Sequence, residues 1–260
     1  MITMTLDLLR SRKVLVLGIC AGLLFTSIGY LALYPSFDDQ LQGFADDLPD
    51  AYKALVGDAD IASPEGYIRG QVYSLIAPLL IAGAAIAAGS SLAKAERDQT
   101  LVVFVVQPIS RRRLGCSWWT FVVVVAAIGA LASFIGVVIG GPLAGADVGI
   151  DRIALATLPM LAFGMLAGSV ALLVSALTGA PGMATGIGWM FILVSFLANS
   201  LAELIDNLSW LSKVNPWSWH GAGEALTSDF ATLNFVLLLV TTLAVGVGAI
   251  STFERRNLHL

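Results

Sequence analysis

Long stretches without a single charge alternate with short charged segments along the chain, and the apolar stretches have the lengths of membrane crossings. Residues 14–34 carry no charge, and about 21 residues at 1.5 Å each match a hydrocarbon core roughly 30 Å thick. A second run, 72–93, contains Pro78 and the small residues Ala82, Gly83, Ala84, Ala87, Ala88 and Gly89. Small side chains let helices approach closely in lipid, where packing holds them together. The third, 118–140, opens on Trp118 and Trp119, a pair suited to an interfacial aromatic belt. No charge lies between Arg152 and Glu203, a length of roughly 75 Å at helical rise, which is right for two crossings. Thr178, Gly179, Ala180, Pro181 and Gly182 supply the breakers between them, giving spans 153–177 and 183–204, and a sixth runs over 233–253. The pattern predicts an all-α polytopic membrane protein of six transmembrane helices, one domain over residues 1–260.

The segments between the runs differ in character. Residues 1–13 place Asp7, Arg10, Arg12 and Lys13 among Ile2, Met4, Leu6, Leu8 and Leu9, which can form a short interfacial helix. The run after it is expected to stay as an uncleaved first helix, because further spans follow it. Residues 35–70 form an acidic loop in which Phe37, Leu41, Phe44, Leu48, Tyr52 and Leu55 recur at three- and four-residue steps. That spacing predicts short amphipathic helices, broken near Pro49, at the membrane surface. Gly141 to Arg152 reads as a short polar turn, and the stretch from Asp206 to Thr232 as a return to water with Trp210, Trp217 and Trp219 at the interface.

Six crossings put both termini on one side. Arg10, Arg12, Lys13, Lys94, Arg97, Arg111, Arg112, Arg113, Arg255 and Arg256 fall on that side, against Lys53, Arg69, Arg152 and Lys213 on the other. The positive-inside rule therefore places the termini and the 95–113 connection in the cytoplasm, and the acidic loop outside. In that connection, Asp98 can cap a helix whose first turn holds Gln99, Thr100 and Leu101, with Glu96 adding negative charge at its positive end. The run from Leu101 through Phe104 to Val106 is apolar all round, Pro108 stops it, and Arg111, Arg112 and Arg113 anchor the third span at an anionic leaflet. The segment reads as a docking surface or as a plain interfacial connector.

Composition agrees with a bilayer: 57% hydrophobic and 12% charged residues, with mean hydropathy +0.85, lie far from a globular norm of roughly 25% charged. The net charge of −4 says little until charges are sorted by side. Cys20 and Cys116 are too few for a disulfide framework and have no metal-site spacing. Nor does the acidic loop show regular ligand spacing. The spans lack the buried carboxylates that self-powered pumping calls for.

Enzyme chemistry finds little support. There is no phosphate-binding Gly-x-x-x-x-Gly-Lys-Ser/Thr and no Gly-x-Ser-x-Gly, and the only histidines are His220 and His259. Ser91 and Lys94 match Ser-x-x-Lys, a weak four-residue coincidence at a helix end.

The run Glu96-Arg-Asp-Gln-Thr-Leu-Val-Val-Phe-Val-Val-Gln-Pro-Ile-Ser-Arg111 resembles the Glu-x-x-Gly-Thr-Leu-x-x-Leu-Leu-x-x-Pro-Val-Ser-Arg segment of ABC-2 type permeases, the membrane subunits of a class of ATP-binding-cassette exporters. Asn215-Pro-Trp-Ser-Trp219 is similar to that family's Ser-Pro-Phe region, and Phe253-Glu-Arg-Arg-Asn-Leu258 to its Phe-x-Arg-Arg-Asp-Leu ending. The resemblance implies a coupling helix after span two that docks on a cytoplasmic ATPase. Glu96, Thr100, Pro108, Ser110 and Arg111 stand at the recurrent positions, with Asp98, Leu101 and Phe104 alongside. Gln99 departs from the family's glycine, and valines replace its leucines. It further implies a bacterial plasma-membrane location, two ATPase subunits that bind ATP and Mg, and a second permease chain, identical or homologous. No cofactor is expected in this chain, membrane lipids surround it, and no nucleic acid is involved. A channel, or a membrane anchor that transports nothing, are the competing readings.

Overall fold

The computed structural model describes residues 2–36, 63–100, 110–226 and 230–256, and every element among them is helical. Among the described residues, six helices are long and apolar enough to cross a membrane: Lys13–Ser36, Pro64–Arg97, Arg111–Ala144, Ile150–Thr178, Pro181–Ala202 and Thr232–Arg255. The elements are α1 (Ile2–Ser11), α2 (Lys13–Leu33), α3 (Pro64–Arg97), α4 (Arg111–Gly140), α5 (Ile150–Thr178) and α6 (Pro181–Leu204). The short α7 (Trp210–Val214) and α8 (Pro216–Trp219) then lead into α9 (Thr232–Arg255).

All six expected crossings are present, and two of them, the second and the third, begin well before the points where hydropathy places them. The second starts at Pro64, because Ser63 caps it by accepting from the Gly66 N–H at 3.0 Å and Pro64 suits a first helical turn. Residues 64–70, expected in the outer loop, therefore belong to α3. Its winding is π over Ile68–Ile76 and α from Ala77 onward. The widened turns lie directly before Pro78, where a missing N–H would interrupt a regular ladder. The third crossing starts at Arg111, since Ser110 accepts from the Arg113 N–H at 3.3 Å. The expected loop helices and the break near Pro49 lie on residues 37–62, outside the described residues.

Helices α3 and α5 form the centre. Of their most apolar 18-residue windows, 67% and 72% are buried within the chain, against 17% for the first crossing and 22% for each of the last two. Small residues bring the central pair together. Gly89 of α3 lies directly on the Gly168 carbonyl of α5, and a Cβ there would stand 2.8 Å from Leu172 N. Ser175 Oγ donates to the buried Gly89 carbonyl at 3.0 Å. The small-residue run in the sequence is thus the central helix contact.

Trp118 corrects the expectation of an aromatic belt. Its side chain is fully buried, and its indole N–H donates to Ser91 Oγ at 3.1 Å across the α3–α4 contact. Trp119 donates to Ser169 Oγ at 3.0 Å. The alanines and serines of α3 and α5 leave slots for large rings, and each indole finds a hydroxyl partner inside the bundle. Trp217 is also buried, edge-on to Phe163 and Phe196 at centroid distances of 5.3 and 5.1 Å. Trp210 is exposed, as its assignment to the interface requires.

Candidate functional site

The end of the bundle that carries α1 gathers the ends of four crossings. Met4 packs with Leu92 of α3, Leu114 and Trp118 of α4, Leu172 of α5 and Phe253 of α9. Beside this apolar cluster sits a polar node built around Arg256, the residue after α9.

Each member is placed by the end of its own helix. Glu96 occupies the last turn of α3 and is only 6% exposed. Its carboxylate Oε1 accepts from Arg256 Nη2 in a buried ion pair. Arg256 Nη1 donates to the Ser175 and Ala176 carbonyls, both at 3.1 Å, in the last turn of α5. The Ser175 carbonyl also accepts from the Gly179 N–H at 3.0 Å, whereas the Ala176 carbonyl is one that the helix end leaves without a backbone partner, and a cation there also suits the helix dipole. Arg111 at the start of α4 donates from Nη1 to the Arg256 carbonyl at 2.7 Å. That contact offsets the poor placement of a cation at a helix N-terminus. Gly179 ends α5 in the left-handed conformation, φ 65°. A Cβ on it would lie 2.6 Å from Arg256 Nη2 and 3.0 Å from Glu96 Oε2, so glycine is needed for backbone and for space alike. Glu96 Oε2 is buried and has no hydrogen-bond partner.

The site residues expected from the sequence divide. Glu96 and Arg111 meet through Arg256, and the Glu96 side chain is buried within the chain. Ser110 is a helix cap. Asp98, expected to open a helix, stands instead at the C-cap of α3 with its carboxylate 3.2 Å from Arg97 Nε, both side chains largely exposed. Thr100 donates to the Ala95 carbonyl at 3.1 Å and closes the same turn. Leu101, Phe104 and Pro108, with the apolar run between them, lie outside the described residues. Gln99 adopts φ 55°, the left-handed conformation, with its N–H on the Glu96 carbonyl at 3.0 Å. A glycine at this position would meet the same backbone demand without strain.

The enzyme-like coincidences dissolve in three dimensions. The Ser91 hydroxyl is buried, donates to the Ala88 carbonyl at 2.6 Å and accepts from Trp118, while Lys94 is exposed. Cys20 and Cys116 are free thiols. At the opposite end of the bundle His220, in the connection before α9, is buried against Phe163 and Trp217, and its Nδ1 meets the Trp217 carbonyl. Burial pushes its pKa down to about 4, against smaller opposing effects of backbone contacts with Trp217 and Tyr73. Nearby, the Tyr73 hydroxyl of α3 lies 3.2 Å from Thr157 Oγ1 of α5.

A family model described as the multidrug efflux system permease Rv1217c, C-terminal domain, matches residues 6–253. The chain belongs to that family. No curated protein and no solved structure matches it. The efflux-permease match spans all six crossings and includes Glu96, Arg111, Ser175 and Gly179, ending just short of Arg256. Membership makes the chain a multi-pass transport subunit, with no catalytic role of its own. Arg256 is absent from the site residues expected from the sequence, where it counts as one of the positive charges beside the last span and as part of the motif at 253–258. The signal that could have found it is the need of α5, ending at Gly179, for a donor to its last carbonyls.

Proposed function

We propose that the chain is an ABC-2 type permease subunit of an ATP-driven exporter in a bacterial plasma membrane. It forms half of a transmembrane pathway with a second permease unit, identical or homologous, and works with two cytoplasmic ATPase subunits that bind ATP and Mg. Its termini and the connection between α3 and α4 face the cytoplasm, and its cargo is an apolar or amphiphilic compound moved outward. The family name, which speaks of multidrug efflux, supports the direction and the breadth of cargo. The lack of a phosphate-binding motif assigns ATP to a partner.

The observation that carries the coupling role is the polar node. The connection between α3 and α4 leaves Glu96 and re-enters at Arg111, and both residues are tied to Arg256 and through it to α5 and α9. Displacement of that connection by a closing ATPase dimer would reach four crossings through hydrogen bonds and packed ends, a domain-closure transition of the usual kind. Copurification of an ATPase with the chain, and stimulation of its ATP turnover by lipophilic cations or dyes in proteoliposomes, test the reading. Deleting residues 100–107 should abolish both. Passive flux without ATP would point to a channel, and an ATPase that binds but responds to no compound would point to an anchor.

A further inference from the structure

We propose that Arg256 is a positioning residue, a switchable strut that locks the ends of α5 and α9 to Glu96 so that they follow the α3–α4 connection as one body. This inference rests on the exporter reading for its functional consequence, although its structural part stands apart from it.

Three features distinguish a strut from an ordinary surface ion pair. The first is the number of bodies joined. One guanidinium reaches the carboxylate of α3 and two carbonyls of α5, while the Arg256 backbone carbonyl is held by Arg111 of α4 and its chain continues from α9. The second is burial: the Glu96 side chain is 6% and the Arg256 side chain 15% exposed, so water competes poorly for their partners. The third is that Gly179 brings its backbone against the pair with no room for a Cβ, which fixes the α5 end to the charge pair by contact as well as by hydrogen bonds.

The node also has a second hydrogen-bonded arrangement within reach. Glu96 Oε2 is buried and unpartnered, while Arg256 Nη1 is engaged by the α5 carbonyls. A rotation of the guanidinium that moved Nη1 from those carbonyls to Oε2 would convert a single contact into the bidentate pair that arginine and carboxylate favour. The same rotation releases the end of α5. Coupling across a structure needs an element with two discrete arrangements, and this exchange of acceptors supplies one. In the present arrangement α5 is held; in the other, α3 and α9 stay paired and α5 is free to move.

The test has an arm on the chain alone and an arm on the assembled transporter. In detergent, Arg256→Ala should raise tryptic cleavage between residues 97 and 113 at least tenfold over wild type, and an unchanged rate would overturn the strut. Because Arg256→Ala leaves a buried carboxylate and can unfold the end of the bundle, the second variant is Glu96→Leu with Arg256→Met, which refills the space without charge. This double variant should recover the wild-type unfolding midpoint and still transport at least tenfold less dye per ATP hydrolysed than wild type. Recovery of the wild-type transport-to-hydrolysis ratio in it would show that the pair only stabilises the fold, and would overturn the proposal. Should no ATPase associate with the wild-type chain, the exporter reading fails, while an unchanged cleavage rate in Arg256→Ala would still overturn the strut by itself.

Discussion

Gly89→Ala puts the central helix contact to a quantitative test. A Cβ at this position falls 2.8 Å from Leu172 N and 3.2 Å from the Ala171 Cβ, besides running onto the Gly168 carbonyl. Ordinary contact begins near 3.5 Å, so the Leu172 contact alone requires α3 and α5 to part locally by at least roughly 0.7 Å. That movement stretches the Ser175 Oγ to Gly89 carbonyl bond from 3.0 Å to about 3.7 Å, beyond hydrogen-bond range. Overpacking costs about 1–3 kcal/mol and the lost bond about 1 kcal/mol, while alanine in place of glycine returns about 1 kcal/mol of helix propensity. The net is a destabilisation of about 2 kcal/mol, or roughly a thirtyfold larger unfolding constant. Reversible unfolding in mixed micelles, followed by tryptophan fluorescence, measures it. Gly186→Ala on α6 is the control, since a Cβ there meets nothing within 4 Å; it should be neutral or stabilising by up to about 1 kcal/mol. Equal stability of the two variants would refute the claim that backbone contact at Gly89 holds the centre of the bundle.

Other perturbations have equally definite outcomes. Gln99→Gly removes a side chain from a left-handed residue and should stabilise the end of α3 by about 1 kcal/mol, read as slower exchange of the backbone amides of Asp98 and Thr100. Gly179→Ala meets both the left-handed backbone and the Arg256–Glu96 pair, so it should cost about 2–3 kcal/mol in the same unfolding assay. His220 has a folded-state pKa near 4, below its ordinary 6.5, so the opened state binds the proton more tightly. The stability its neutral form supplies is therefore complete above about pH 6.5 and falls as the pH drops toward 4, by a total on the order of 3 kcal/mol. His220→Phe should flatten that part of the stability–pH profile, and a profile as steep as wild type would show that another group is responsible.

Much of the fold was legible because a bilayer imposes length and apolarity on whatever crosses it. All six runs without charge became helices, and the Pro181 break between the fourth and fifth stands where an α-helix ends at Gly179 and another begins. Boundaries read less well. Hydropathy stops at Arg69 and at the arginine triplet, whereas caps at Ser63 and Ser110 carry the helices through those charges. The tryptophans read least well, since an indole is equally at home at a membrane interface and in a slot with a hydroxyl partner. Trp118 and Trp217 took the slot because neighbouring helices offered small residues and aromatic edges.

The sequence alone determined the solvent, the number of crossings, the unequal distribution of charge and the special character of the segment from Ala95 to Arg113. Those properties depend on composition and local order, which a chain carries whatever its partners. Tertiary structure decided what Glu96 touches. Its partner lies 160 residues away in Arg256, and the carbonyls that hold that partner belong to a third helix. Only the packing of α3 against α5, set by Gly89 and Gly168, brings these ends close enough for one guanidinium to span them.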